Sequence, residues 1–219
     1  MTITISPELL RKIPGFDVLA YEMNITVTSS QETEAAIQAI EQKIKEEYSL
    51  EDILNIPLIK EGRDGYKALG KDPSRYRLAC ESLLRRLVKG YGLYRINNVV
   101  DAGNLLSIAL FRSTAILDRD AIQGDIFIRL GTSKDVYEGI GRGLLNVESI
   151  PLYQDDYSPF GSPTSDTERT MIKDSTTHIV VMVICFGPKD VQLIDEVVTS
   201  FFTTYAHAQQ INKITTNKG

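Results

Sequence analysis

Residues 96–131, INNVVDAGNLLSIALFRSTAILDRDAIQGDIFIRLG, decide how this chain is read. They place Asp101, Asn104, Ser107, Asp118 and Arg129 among apolar residues, between a basic helix and a strand. Polar groups in apolar sequence cost stability unless they find partners, so they need a structural or functional reason. Spacing offers a structural one: Asp101 and Asn104 bracket a helix start, with Gly103 or Asn104 near its cap. Asp118 and Arg129 are expected to form an internal ion pair.

Upstream of this window, Thr2–Ile5 alternates, and residues 16–27 read as an extended segment ending in a strand, NITV. Ser29 and Glu32 have capping-box spacing before a helix over 31–48, whose inward face is Ile37, Ile40, Ile44 and Tyr48. Residues 52–75, punctuated by Pro57, Gly62, Gly65, Gly70 and Pro73, read as a long irregular section. A helix over 76–88 follows, with Leu83, Leu84, Leu87 and Val88 as its stripe, ended by Gly90 and Gly92.

Downstream, GIGRG at 139–143 is a turn. The run IVVMVICF at 179–186 is apolar throughout, as in a strand buried on both faces. After Gly187 and Pro188 comes a helix with Ile194, Val197, Val198, Phe201 and Tyr205 inward, then a polar tail from Asn212, read as frayed. Helices and strands come in blocks without βαβ alternation, so the fold class is α+β, in a single domain over 1–219.

Composition narrows the function. The chain has 219 residues and can bury a real core. No apolar run approaches the roughly 20 residues of a membrane span. MTITISPELLRK lacks the basic start and apolar core of a secretory signal. Cys80 and Cys185, in apolar contexts, read as buried free thiols, which fits the cytoplasm. A net charge of −5 excludes an extensive nucleic-acid face. Local clusters containing Lys71, Arg75, Arg85 and Arg86 remain candidates for touching a few phosphates of RNA.

Several motifs fail. GYKALGKD at 65–72 is close to a phosphate-binding loop, yet Asp72 stands where a hydroxyl must reach magnesium. His178 and His207 have no nucleophile elbow to serve, and no cluster of soft ligands marks a metal site. No cofactor or metal is expected. The segment FGSPTSDTERT at 160–170 is more informative, because a polar loop feeding a core strand often lines a pocket.

The stretch VVDAGNLLSIALFRSTAILDRDAIQGDIFIR resembles the beta subunit of phenylalanyl-tRNA synthetase, in the editing module built from its third and fourth domains. Asp101, Asn104, Asp118 and Arg129 fall at that pattern's anchor positions. FGSPTSD and THIVVMVICFGP resemble its glycine turn, its Ser/Thr-rich loop and the strand that follows. The resemblance covers about residues 76–188. Stand-alone bacterial proteins carrying only this module share the lead-in KALGKDPSRYR and the helix ESLLRR. It implies a strongly curved or barrel-like mixed sheet flanked by helices.

The resemblance also implies a function: hydrolysis of an amino acid wrongly esterified to tRNA, here in trans. The implied partner is the tRNA acceptor end or its aminoacyl moiety. Its pocket positions are Gly103, Asn104, Ala115, Gly161, Ser165, Asp166 and Met182. The family's Thr-Asn pair becomes Gly103-Asn104, its turn histidine Ala115 and its strand glutamate Met182, so only Asn104 keeps its polar group. A pocket discriminates strongly on a substrate hydroxyl only through a buried polar partner. A general base could come from Asp118 or Asp166. The alternative is a non-catalytic binding module of the same fold, recognising an amino acid, an RNA end or a protein.

Overall fold

The computed structural model describes residues 1–219. The chain opens with β1 (Thr2–Ile5), α1 (Pro7–Lys12) and β2 (Asp17–Asn24). Five helices follow: α2 (Glu34–Glu47), α3 (Leu50–Asn55), α4 (Pro57–Ala68), α5 (Ala79–Val88) and α6 (Asn98–Leu110). Then come β3 (Thr114–Asp118), β4 (Ile126–Leu130), the small hairpin β5 (Glu138–Gly139) and β6 (Gly143–Leu144), β7 (Pro151–Gln154) and β8 (Pro159–Gly161). The chain ends with β9 (His178–Cys185), α7 (Val191–Ala206) and β10 (Gln209–Lys218).

Eight strands form one mixed sheet in the order β3-β9-β2-β10-β1-β4-β7-β8. β1 runs parallel to β10 and β4, and every other pairing is antiparallel. The sheet curls until its two edges nearly meet, as in a barrel: Ser113 Oγ, just before β3, donates to the carbonyl of Pro163, just past β8, at 3.1 Å. The fold is therefore α+β with a barrel-like mixed sheet.

The sheet separates two apolar layers. Its inner face, with Val18, Ala20, Ile128, Tyr153, Val180 and Met182, packs with Ile53, Ile59, Tyr66 and Leu84 of α3, α4 and α5. Its outer face, with Tyr21, Val181, Val183 and Cys185, is covered by Val99, Ala102 and Leu106 of α6 and Ile194, Val198 and Phe202 of α7. β9 contributes to both layers, which explains its unbroken apolar run.

The polar residues of the 96–131 window turn out to be mostly fasteners. Asn97, not Gly103 or Asn104, caps α6, accepting from the Val100 amide at 2.9 Å. Asn98 is buried; its amide donates to the carbonyls of Thr26 and Tyr205 and accepts from the Thr28 amide. Asp101 is buried too, accepting from Thr33 Oγ1 and the Ile96 amide, both at 3.1 Å. Ser107 Oγ donates to the Arg112 carbonyl at 2.7 Å. Each buried group thus recovers the hydrogen bond that burial takes away.

The expected Asp118–Arg129 pair does not form. Arg129 grips Asp135 through two nitrogens, at 2.9 and 2.7 Å. Asp118 instead caps a short 3-10 turn and accepts from Thr176 Oγ1 at 2.7 Å. The early strand ends at Asn24, before most of NITV. Ser29 caps a 3-10 turn, while the box with both reciprocal bonds forms at Ser49 and Asp52.

Two further expectations fail for physical reasons. Residues 52–75 hold most of α3 and all of α4 rather than a loop. Gly62 and Gly65 are not breakers but close-approach positions: an added Cβ would come within 2.2 Å of Leu78 and 2.3 Å of Phe186. The tail is not frayed, since β10 pairs with β2 on one side and β1 on the other. Only Ile214 of that strand is buried, so its sequence carries almost no period-2 signal.

Candidate functional site at the sheet seam

Where the edges of the sheet fail to pair, the loop 162–167 fills the gap. Ser162 holds it tight: its Oγ accepts from the amides of Thr164 and Ser165 and donates to the Ser165 carbonyl at 2.9 Å. The Pro163 carbonyl takes Ser113 Oγ and the Ala79 amide, fastening the loop to β3 and to the start of α5. Tyr66 Oη of α4 meets Thr164 Oγ1 at 2.8 Å, and Tyr137 Oη donates to the Ser165 carbonyl.

Asp166 is the chemically unusual member. Gly161 lies opposite Tyr153 in the β7–β8 register, and a Cβ on it would stand 2.7 Å from Asp166 Oδ1 and 2.5 Å from the Tyr153 ring. Gly161 therefore makes room for the carboxyl and the ring together. Asp166 Oδ1 is buried without a hydrogen-bond partner, and so are Tyr153 Oη, Thr167 Oγ1 and Thr170 Oγ1. Burial pushes the Asp166 carboxyl up to about 7, against a smaller pull downward from the Ser162 amide. Burial likewise raises the phenols of Tyr137 and Tyr153, helped by the nearby Asp166 charge. A carboxyl poised near neutrality can take or give a proton at physiological pH.

The β5–β6 hairpin lies against this loop. Gly139 of the β5–β6 hairpin packs on Ser165, and the Ile140 amide donates to the Asp166 carbonyl at 2.9 Å. Beside this flap a cleft of about 300 Å³ is lined by Glu138, Ser158, Pro159, Thr167, Glu168 and Arg169. Thr167 belongs to both cleft and seam loop.

The pocket positions named from sequence divide into three groups. Gly161, Ser165 and Asp166 come together at the seam. Ala115 and Met182 are direct cross-strand partners on β3 and β9, both buried, in the same apolar core as Tyr66, Tyr137 and Tyr153. Gly103 and Asn104 lie on α6, across the sheet: a Cβ on Gly103 would meet Ile116, which points to the opposite face of β3 from Ala115. Asn104 is half-buried.

Two of the basic candidates, Lys71 and Arg86, are engaged, while Arg75 and Arg85 lie near a carboxylate without a hydrogen bond to it. Lys71 sits over the Tyr76 ring at 4.8 Å and Arg75 lies 3.9 Å from Asp72. Arg85 lies 3.9 Å from Glu81, and Arg86 donates to the Gly92 carbonyl while stacking on Tyr94 at 3.9 Å. No group of three or more His, Cys, Asp or Glu is placed to hold a metal ion, and no helix is long and apolar enough to cross a membrane. Sequence reasoning missed Tyr66, Tyr137 and Tyr153, which reach the seam from separate segments, and Thr164, which lies in the seam loop itself.

A curled mixed sheet, with helices on both faces and a polar loop across its open seam, defines an α+β module with a barrel-like sheet. The family model of the B3/4 domain matches residues 61–202, and the chain belongs to that family. Among solved structures, an N-terminal fragment of the phenylalanyl-tRNA synthetase beta subunit from Pyrococcus horikoshii is similar over 99% of this chain, with a TM-score of 0.55 and 11% identity. At that identity the likeness is one of fold. The chain spans about half of that fragment, 52% of its length. No curated protein is similar enough in sequence to count as a relative.

Proposed function

We propose that this chain binds the aminoacyl end of a tRNA at the seam and hydrolyses the ester in trans. The observation that carries this reading is Asp166, whose buried Oδ1 has no partner and whose carboxyl titrates near 7. In its ionised form Asp166 takes a proton from water as that water attacks the ester carbonyl. In its neutral form it returns a proton to the departing ribose oxygen. Asp118, the other carboxylate considered from sequence, is tied to Thr176 and the Asp120 amide and is the weaker choice. The acting unit is residues 1–219 as one domain, since β10 threads between β1 and β2. The buried free thiols Cys80 and Cys185 suit a reducing cytoplasm.

Loss of ester from a panel of mischarged tRNAs, followed against buffer hydrolysis, is the test. A rate above buffer for at least one aminoacyl ester is expected, and none above buffer rejects hydrolysis.

A second reading, a binding module without catalysis, is favoured by the apolar Ala115–Met182 pair, which supplies no hydrogen bond to a bound side chain. It predicts a melting-temperature rise with a non-hydrolysable 3′-aminoacylamide of adenosine and no turnover.

A further inference from the structure

Glu81 is buried in the first turn of α5, yet three arginines converge on it. Arg63 Nη1, from α4, donates to both carboxylate oxygens at 2.9 Å. Arg77, two residues before α5, and Arg85, one turn after Glu81 on α5, each place a nitrogen 3.9 Å from Oε1, beyond hydrogen-bond reach. One carboxylate satisfied by Arg63 leaves two guanidiniums attracted but not bonded to it. The nearby acid Asp72 accepts from the amide and hydroxyl of Ser74 and has the Arg75 guanidinium 3.9 Å away. This is a local excess of positive charge on a chain whose net charge is −5.

The partial burial of the two arginines sharpens the point. Arg85 is 22% exposed and Arg77 42%, so an oxyanion meeting them is bound in a medium less screening than water. Guanidinium donors match phosphate oxygens in geometry as well as charge. The stripe also begins at the seam, because the Ala79 amide, two residues after Arg77, is hydrogen-bonded to the Pro163 carbonyl at 2.8 Å.

We propose that Arg77 and Arg85, held in place by Glu81, form a phosphate-binding site that receives the backbone of a polynucleotide whose end lies at the seam. The polynucleotide part rests on the function proposed above. The phosphate chemistry does not, and a free phosphate would satisfy the same two side chains.

The test uses the full chain and uncharged tRNA, so that it does not depend on ester hydrolysis. Affinity is measured from low to moderate salt for the wild type, for R77Q/R85Q, and for R11Q/K12Q as a remote control of equal charge change. Loss of two phosphate contacts lowers the slope of log affinity against log salt by about 1.4 for single-stranded contacts. The proposal expects that drop in R77Q/R85Q with little change in R11Q/K12Q. R77K/R85K, which keeps the charge, should recover most of the slope and shows that the loss is not one of folding.

Equal slopes for R77Q/R85Q and the wild type overturn the site, even if the chain deacylates tRNA. An Arg-dependent slope without ester hydrolysis supports the site while rejecting the catalytic reading. A second arm measures melting temperature with inorganic phosphate. A rise lost in R77Q/R85Q, with no tRNA binding, supports the phosphate site and overturns its polynucleotide occupant.

Discussion

Ala115 and Met182 stand directly opposite each other on adjacent antiparallel strands, β3 and β9, and both are buried. The editing-module pattern that this stretch resembles places a histidine and a glutamate at these two positions. On that correspondence, two positions that would carry polar groups side by side are both apolar here. A buried histidine or glutamate without its partner would leave an unsatisfied polar group. The apolar pair closes that part of the wall, and the polar chemistry of the interior lies at Asp166 and the tyrosines around it.

Met182 should behave as a core residue. Met182→Ala is expected to cost about 2–5 kcal/mol of stability, the range for truncating a buried side chain into a cavity. Met182→Glu should cost more, and its deficit should grow as pH rises and the buried carboxyl is forced to ionise. Urea unfolding of both variants at two pH values measures this. A neutral Met182→Glu would show that the position is wet.

Asp166 should make stability fall with rising pH. Its folded carboxyl titrates near 7, well above its ordinary 3.8, so between these values the folded state holds a proton that the unfolded chain has released. The stability associated with the neutral form is complete below about pH 3.8 and is lost as pH rises through about 7. Asp166→Asn removes this dependence. Relative to wild type, the variant should gain stability between pH 5 and pH 8 by thermal or urea melts, and parallel curves would refute the assignment.

Asp155 should act in the opposite direction. Its side chain is fully buried and gripped by Arg169 through two bonds of 3.0 and 2.9 Å. Burial opposes its ionisation, but the amides of Gln123, Ser158 and Tyr157, together with Arg169, outweigh burial and hold the carboxyl below its ordinary range. This stability is present above 3.8 and is lost as pH falls through the lower folded value. Arg169→Met leaves Asp155 buried and unpaired, and about 3–5 kcal/mol should be lost. The readout is the urea midpoint at pH 7.

Gly65→Ala reverses a familiar rule. Alanine in a helix interior is usually about 1 kcal/mol better than glycine. Here the new methyl would sit 2.3 Å from the Phe186 ring, so overpacking of about 1–3 kcal/mol should win. Adding Phe186→Leu should restore part of the melting temperature, identifying the clash as the cause.

Much of this architecture was legible in the sequence, and the omissions have physical causes. The run at 179–186 gave itself away because β9 is buried on both faces. α4 hid behind two glycines whose purpose is close packing against Leu78 and Phe186, a contact made only in three dimensions. β10 hid because ladder hydrogen bonds, not apolar side chains, hold it in the sheet. At the site, Gly161 ends β8 and Ser165 and Asp166 lie in the polar loop directly after it, so the three could be read together. Tyr66, Tyr137 and Tyr153 arrive from distant segments, and nothing in their local sequence marks them as neighbours of Asp166.

The central claim concerns Asp166, and single-turnover hydrolysis of a mischarged tRNA by the wild type and by Asp166→Asn tests it most directly. A general base contributes about 10²–10⁴-fold. The account predicts a rate loss of that size in the variant, together with loss of a limb near pH 7 in the wild-type pH profile, while affinity for uncharged tRNA stays unchanged. Wild-type turnover that survives Asp166→Asn intact would contradict it.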